Sequence, residues 1–120
     1  MRRKHHDLLV WQRAIDMVKD VYRITSAFPS SEAFGLTSQM RRSAVSVPSN
    51  IAEGAARTSN KEFLHFLSMA RGSLSELETQ LVIAKQVGYA PETIELEKQI
   101  DDVFGLLGGL INSIRDSSSS

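Results

Sequence analysis

Six cations are the residues best able to do chemistry in this chain: Arg2, Arg3 and Lys4 near the start, then Arg41, Arg42 and Arg57. A guanidinium offers a planar fork of donors that fits phosphate or carboxylate, and a cluster of such groups is the footprint of a polyanion-binding face. Two readings compete. Either the arginines pair with carboxylates, as Glu53 can with Arg57 four residues on in the favourable helical order, or an assembly repeats them around one face and presents them to RNA or DNA. Arg71, beside the apolar stripe of a later helix, reads as an intra-bundle or interfacial anchor.

The other constellations are weaker. Glu62-Phe63-Leu64-His65 has the Glu-x-x-His spacing that di-iron bundles use to aim two ligands inward. Those sites need a second copy of the motif and two further carboxylates, so no metal is assigned. His5 and His6 fall on a charged N-terminal segment and read as solvated. Gly72-Ser73 lacks the pattern of a nucleophile elbow, and neither a phosphate loop nor a dinucleotide fingerprint occurs. Glu76, Glu78, Asp101 and Asp102 read as solvated or salt-bridging groups on helix exteriors. With no catalytic residue, cofactor or small-molecule substrate to assign, the expectation is a protein that is not an enzyme.

Composition sets the frame. Hydrophobic residues make up 42% and charged residues 23%, the balance of an ordinary globular domain. The formal charge is zero, but residues 1–57 hold nine Lys/Arg against five Asp/Glu, while residues 58–120 hold five against nine. The halves thus carry +4 and −4, and can attract each other within a bundle or between subunits. The absence of cysteine excludes disulfides and thiolate chemistry and fits a reducing compartment. The start lacks the apolar run of a signal peptide. The longest apolar run, Leu106 to Ile111, is far below the ~20 residues that span a membrane. A cytoplasmic protein without membrane contact is expected.

These residues must be positioned by helices. Residues 1–6 read as a mobile basic arm, 7–116 as one helical domain and 117–120 as a disordered serine tail. Asp7 is the expected cap of a first helix with Leu8, Trp11, Ile15, Val18, Tyr22 and Thr25 at spacings of three and four, and Val10, Met17, Val21, Ile24 and Phe28 beside them. Pro29 ends it, and Ser30 to Glu32 form a turn or short helical start before Gly35.

The second helix, of which Gln39 to Arg57 is the greater part, organises the rest. Leu36, Met40, Ala44, Val47, Ile51 and Ala55 form one apolar stripe, with Arg41, Val45, Pro48, Ala52 and Ala56 beside it. Together they cover about twice the arc that a surface helix needs to face one core. Val45, Pro48, Ala52 and Ala56 are therefore the candidate oligomer interface. Pro48 costs a helix interior about 3 kcal/mol. The stripe stays in phase across it, which favours one kinked helix over a break recapped by Asn50 and Glu53.

Ser59 and Glu62 form a capping box for a third helix with Phe63, Phe66, Leu67, Ala70, Leu74, Leu77, Leu81 and Ala84 on one face. Gly88 is the expected C-terminal cap and Pro91 the first position of a fourth helix. That helix carries Leu96, Ile100, Val103, Phe104, Leu107, Ile111 and Ile114. Gly105, Gly108 and Gly109 stand off its stripe, where either another backbone approaches or the helix is weak. Short connections make the fold an all-α, antiparallel up-down-up-down four-helix bundle, and the surplus apolar arcs point to self-association.

Several of these runs also carry a resemblance. Asp7-Leu-Leu-Val-Trp-Gln, Phe28-Pro, Glu32-x-x-Gly35-Leu, Gln39-Met-Arg-Arg-Ser and Pro48-Ser-Asn-Ile-Ala-Glu-Gly resemble the bacterial four helix bundle family. This is the family of the proteins of intervening sequences in 23S ribosomal RNA genes. Glu62-Phe-Leu-x-Phe and Ala70-Arg-Gly-Ser-Leu-x-Glu-Leu-Glu extend the likeness over roughly residues 7–88. The resemblance implies a bundle with Pro48 inside a helix, and a homopentameric ring as in several relatives. The accessory protein of diversity-generating retroelements looks similar. It forms a basic pentameric barrel working with reverse transcriptase and nucleic acid, whereas this chain is neutral.

Overall fold

The computed structural model describes residues 3–118, and these form four long helices: α1 (Leu9–Thr25), α2 (Leu36–Ala55), α3 (Asn60–Gln86) and α4 (Ile94–Ser118). Short 3-10 turns at Lys4–Asp7 and Ser30–Glu32 precede α1 and α2. Each helix packs on its neighbours in a cycle, α1 on α2, α2 on α3, α3 on α4 and α4 on α1, with no diagonal pair in contact. The result is a rod of 50 × 26 × 19 Å. The α1/α2 face therefore lies opposite the α3/α4 face, and the α1–α2 and α3–α4 connections share one end.

Two helices bury the arcs that their periodicity predicts. In α3, Phe63, Leu67, Ala70, Leu74, Leu77, Leu81 and Ala84 are buried, and in α4 Leu96, Ile100, Val103, Leu107, Ile111 and Ile114. Helix α1 departs from expectation. Its core residues are Val10, Ala14, Met17, Val21 and Ile24, whereas Ile15 and Tyr22 lie outside. Both arcs are apolar, but only one can face the core between α2 and α4. The inner arc carries small Ala14 and flexible Met17, which allow close packing. The outer carries Trp11 and Tyr22, whose polar edges favour a half-wet boundary.

The helix ends are set by specific groups. Leu8, not Asp7, is the N-cap of α1 and offers no side-chain acceptor. Ser59 Oγ accepts the Glu62 amide at 3.2 Å, as expected of the α3 cap. Gly88 has φ +83°. Around it the Gly88 amide donates to the Lys85 carbonyl (3.1 Å) and the Tyr89 amide to the Ala84 carbonyl (2.9 Å), the paired bonds of a Schellman ending. Pro91 lies ahead of α4 rather than at its first position. Thr93 sets the start instead, accepting the Glu97 amide on its carbonyl (2.9 Å) and donating its hydroxyl to the Glu97 carboxylate (2.7 Å). Helix α4 continues through Ser117 to Ser118, and Ser119 and Ser120 lie outside the described residues.

Helix α2 runs unbroken through Pro48. Asn50 does not cap a new helix. Its Nδ2 donates to the Ser46 carbonyl and to Ser46 Oγ, both at 2.9 Å, stitching the turn that contains the proline. Ser46 in turn shares a 2.8 Å hydrogen bond with Ser73 of α3. One end of this contact is closer still. A Cβ built on Gly54 would lie 2.8 Å from Phe66 Cβ and 3.0 Å from Phe63 Cδ1. By contrast, a Cβ on Gly105, Gly108 or Gly109 would meet nothing within 4 Å, so no backbone of this protomer approaches there.

Adding one methyl group at these two kinds of glycine should have opposite effects. Gly54→Ala should lower stability by about 1–3 kcal/mol through overpacking, and Gly105→Ala should raise it by up to about 1 kcal/mol through helix propensity. Urea unfolding of both variants checks this.

Candidate interaction surfaces

The five described cations do not form one patch. Arg41 lies in α2 and Arg57 two residues beyond its end, and the stretch from Arg41 to Ala55 alone spans about 21 Å at 1.5 Å per residue. Arg41 and Arg42 sit beside the C-terminal end of α1, while Arg3 and Lys4 lie with Arg57 at the opposite end of the bundle. Arg2 lies outside the described residues.

Arg41 is committed inside the protomer. Its Nε donates to Thr25 Oγ1 at 2.9 Å, its Nη2 reaches the Tyr22 carbonyl at 3.4 Å, and its guanidinium lies 4.5 Å over the Tyr22 ring. Buried Thr25 donates onward to the Val21 carbonyl at 2.7 Å. The cation thus meets the negative end of the α1 dipole and ties that end to α2. Arg42, one position on, is exposed and has no ion-pair or hydrogen-bond partner among the described residues. Arg71 is likewise exposed and unpartnered, so it does not anchor the bundle.

At the other end, Arg57 pairs with Glu53 at 3.0 Å, as the sequence spacing predicts, and lies 4.8 Å over the Phe66 ring. Lys4 lies 5.0 Å over Phe63. The Lys4–Asp7 turn is docked: His5 and His6 stack edge-on against each other and against Trp11. Partial burial there, then the charges of His6 and Arg3, hold His5 below its ordinary value of 6.5. Lys61, which sequence reasoning did not single out, joins this end beside Arg57 around a shallow hollow that Glu62 and His65 also line. Glu62 and His65 are exposed, and among the described residues no three ligating side chains gather.

The small-residue flank of α2 is divided by depth. Val45 is 39% exposed, Ala52 half-buried and Ala56 exposed, while Pro48 is buried in the protomer and has little surface to offer a partner. Ile15 and Tyr22 of α1 add apolar surface to this α1/α2 side. A hollow there is lined by Tyr22, Ala33, Ser38, Arg42 and Val45. Next to Ala33 stands Phe34, 100% exposed, which sequence reasoning passed over. The available signal was an aromatic residue between Pro29 and Gly35, off every helical stripe.

On the opposite side, a groove of about 250 Å³ runs between α3 and α4. Leu81 and Ile100 form its floor, Val82 one wall, and Glu78, Glu97 and Asp101 its acidic rim beside Lys85. Lys85 bridges to Glu97 at 3.2 Å. The Thr93 hydroxyl, and next the Lys85 ammonium, hold the Glu97 carboxyl below 4.5.

Four helices packed in a cycle around one apolar core define an all-α bundle protein with no helix among the described residues long and apolar enough to cross a membrane. The sequence profile of the 23S rRNA-intervening sequence protein family matches residues 6–109, and the chain belongs to that family. No curated protein matches it.

Two outcomes check the polar contacts. Arg41→Ala should leave α1 and α2 in place but free the end of α1, seen as faster amide hydrogen exchange from Thr25 to Phe28. A carboxyl held low in the folded state stabilises fully above its unfolded value and loses that contribution as pH falls through its folded value. Thermal stability should therefore fall on acidification below pH 4.5, and Glu97→Gln should flatten that fall.

Proposed function

We propose that this protein is a non-enzymatic scaffold, a cytoplasmic bundle whose copies assemble through their side faces, five to a ring as its family resemblance implies. The observation that carries this reading is apolar surface left uncovered on opposite sides of a well-filled core. Tyr22 and Val45 are exposed on the α1/α2 side, and Val82 on the α3/α4 side is 52% exposed. Contact with further copies would remove this surface from water.

A second reading draws on the far end of the bundle. Arg3, Lys4, Arg57 and Lys61 share that end, and Lys61 has no ion pair among the described residues. Repeated around a ring, this end would form a positive rim for the phosphates of RNA or DNA.

Native mass spectrometry of protein purified without nuclease separates the two. The scaffold reading expects a clean multiple of 13.3 kDa, five for the ring. A single chain at all concentrations contradicts it. Heterogeneous extra mass that RNase or DNase removes, and that high salt strips away, would instead place nucleic-acid binding first.

A further inference from the structure

Phe34 combines full exposure with a rigid mount. The Glu32 carboxylate accepts the Leu36 amide on Oε1 at 3.1 Å and the Tyr89 hydroxyl on Oε2 at 3.1 Å. The Gly35 amide closes onto the Glu32 carbonyl at 2.9 Å, and the Glu32 amide onto that of Pro29 at 2.9 Å. A Cβ on Gly35 would lie 2.6 Å from Glu32 Oε1, so glycine keeps the carboxylate seated at the start of α2. A fully exposed phenyl ring on so bonded a turn gains nothing in the lone protomer. Docked in a pocket it would bury a large apolar area, with little backbone ordering required.

We propose that Phe34 of one copy seats in the α3–α4 groove of a second copy, an inference that rests on the self-association proposed above. Size agrees. A cavity of about 150 Å³ takes up benzene, and the groove offers about 250 Å³ over Leu81, Ile100 and Val82. Charge agrees as well. Arg42 flanks the hollow beside Phe34 without a partner, while Glu78 and Asp101 on the groove rim have no ion pair among the described residues. Unpaired cation thus faces unpaired carboxylate when the two surfaces meet, which fixes register between them. The same match appears in the halves of the chain, +4 in residues 1–57 and −4 in residues 58–120.

Placement gives the contact its symmetry. The aromatic knob sits at the α1–α2 connection and the groove beside the α3–α4 connection, at the same end of the bundle and on opposite sides of the helix cycle. Such a contact is heterologous. With knob and groove at one height, successive copies are related by rotation about an axis along the bundle, the operation that generates a ring. Gly105 and Gly108, four and seven residues past Asp101 on the same side of α4, leave that neighbouring surface clear of side chains.

The test uses two surface variants of the full chain, Phe34→Ala and Val82→Arg, with helix content checked by circular dichroism. Each alone should sediment as a folded single chain of 13.3 kDa, the first lacking the knob and the second having a blocked groove. Mixed, they should form a 1:1 pair and nothing larger, because the Val82→Arg copy still has its phenyl ring and the Phe34→Ala copy its open groove. A Phe34→Ala variant that assembles like the unmodified protein overturns the inference while leaving self-association intact. Two monomeric variants that stay apart when mixed overturn it too, since the interface is then not knob-to-groove. An unmodified protein that is itself monomeric removes the self-association reading along with it.

Discussion

The closest helix-to-helix contact among the described residues is that between α2 and α3, where Gly54 has no room for a Cβ against Phe63 and Phe66. Small groups carry the rest of it, with Ser46 meeting Ser73 at 2.8 Å. Because α2 lies so near α3 on one flank and is clamped to α1 through Arg41 on the other, its remaining surface is narrow and shallow. Pro48 fits this arrangement. The turn that contains it is stitched by Asn50, and the residue itself is buried among the helices. The helix that holds the bundle together is thus also the one whose outer side has little bulk of its own.

Electrostatics divides the molecule by place rather than by amount. The neutral total conceals a committed cation, Arg41, an uncommitted neighbour, Arg42, and a separate basic end around Arg57 and Lys61. Arg41 adds a positive charge at the C-terminal end of α1, where the Tyr22 carbonyl already accepts the Ser26 amide. Arg42 projects from the same turn with nothing to neutralise it, and the carboxylates able to do so lie across the bundle on the α3–α4 rim. An exposed pair contributes little in isolation, so the charges serve mainly to choose a partner's orientation, while apolar contact supplies affinity.

Much of this was legible in the sequence where one physical signal dominated. The stripes of α3 and α4 are unopposed, and all their residues are buried except Phe66 and Phe104, which are half-buried. Ser59 at the α3 cap and Gly88 beyond its end followed from backbone chemistry that needs no tertiary information, and the continuity of α2 through Pro48 from an apolar stripe that stays in phase across it. Helix α1 was misread because two apolar arcs compete, and only the other helices decide between Tyr22 and Met17. The start of α4 was placed too early, at Pro91 rather than Ile94, because a threonine hydroxyl bonding the Glu97 carboxylate outweighs the proline's local preference for a first helical turn. The cations were grouped by type, whereas the length of α2 separates Arg41 and Arg42 from Arg57 and Lys4. Phe34 escaped notice because periodicity has nothing to say about a turn, and its exposure is a property of the fold alone.

On the proposed self-association, one protomer is incomplete and other copies cover its side faces. Small-angle X-ray scattering over a concentration series, in low and in high salt, tests it most directly. The expected particle is several times the 13.3 kDa chain, with a radius of gyration well above the 15.1 Å of the single bundle, persisting in high salt because apolar contact sustains it. A particle of one chain's mass with a radius near 15.1 Å at every concentration would contradict it, and the exposed Phe34, Tyr22, Val45 and Val82 would then need another occupant.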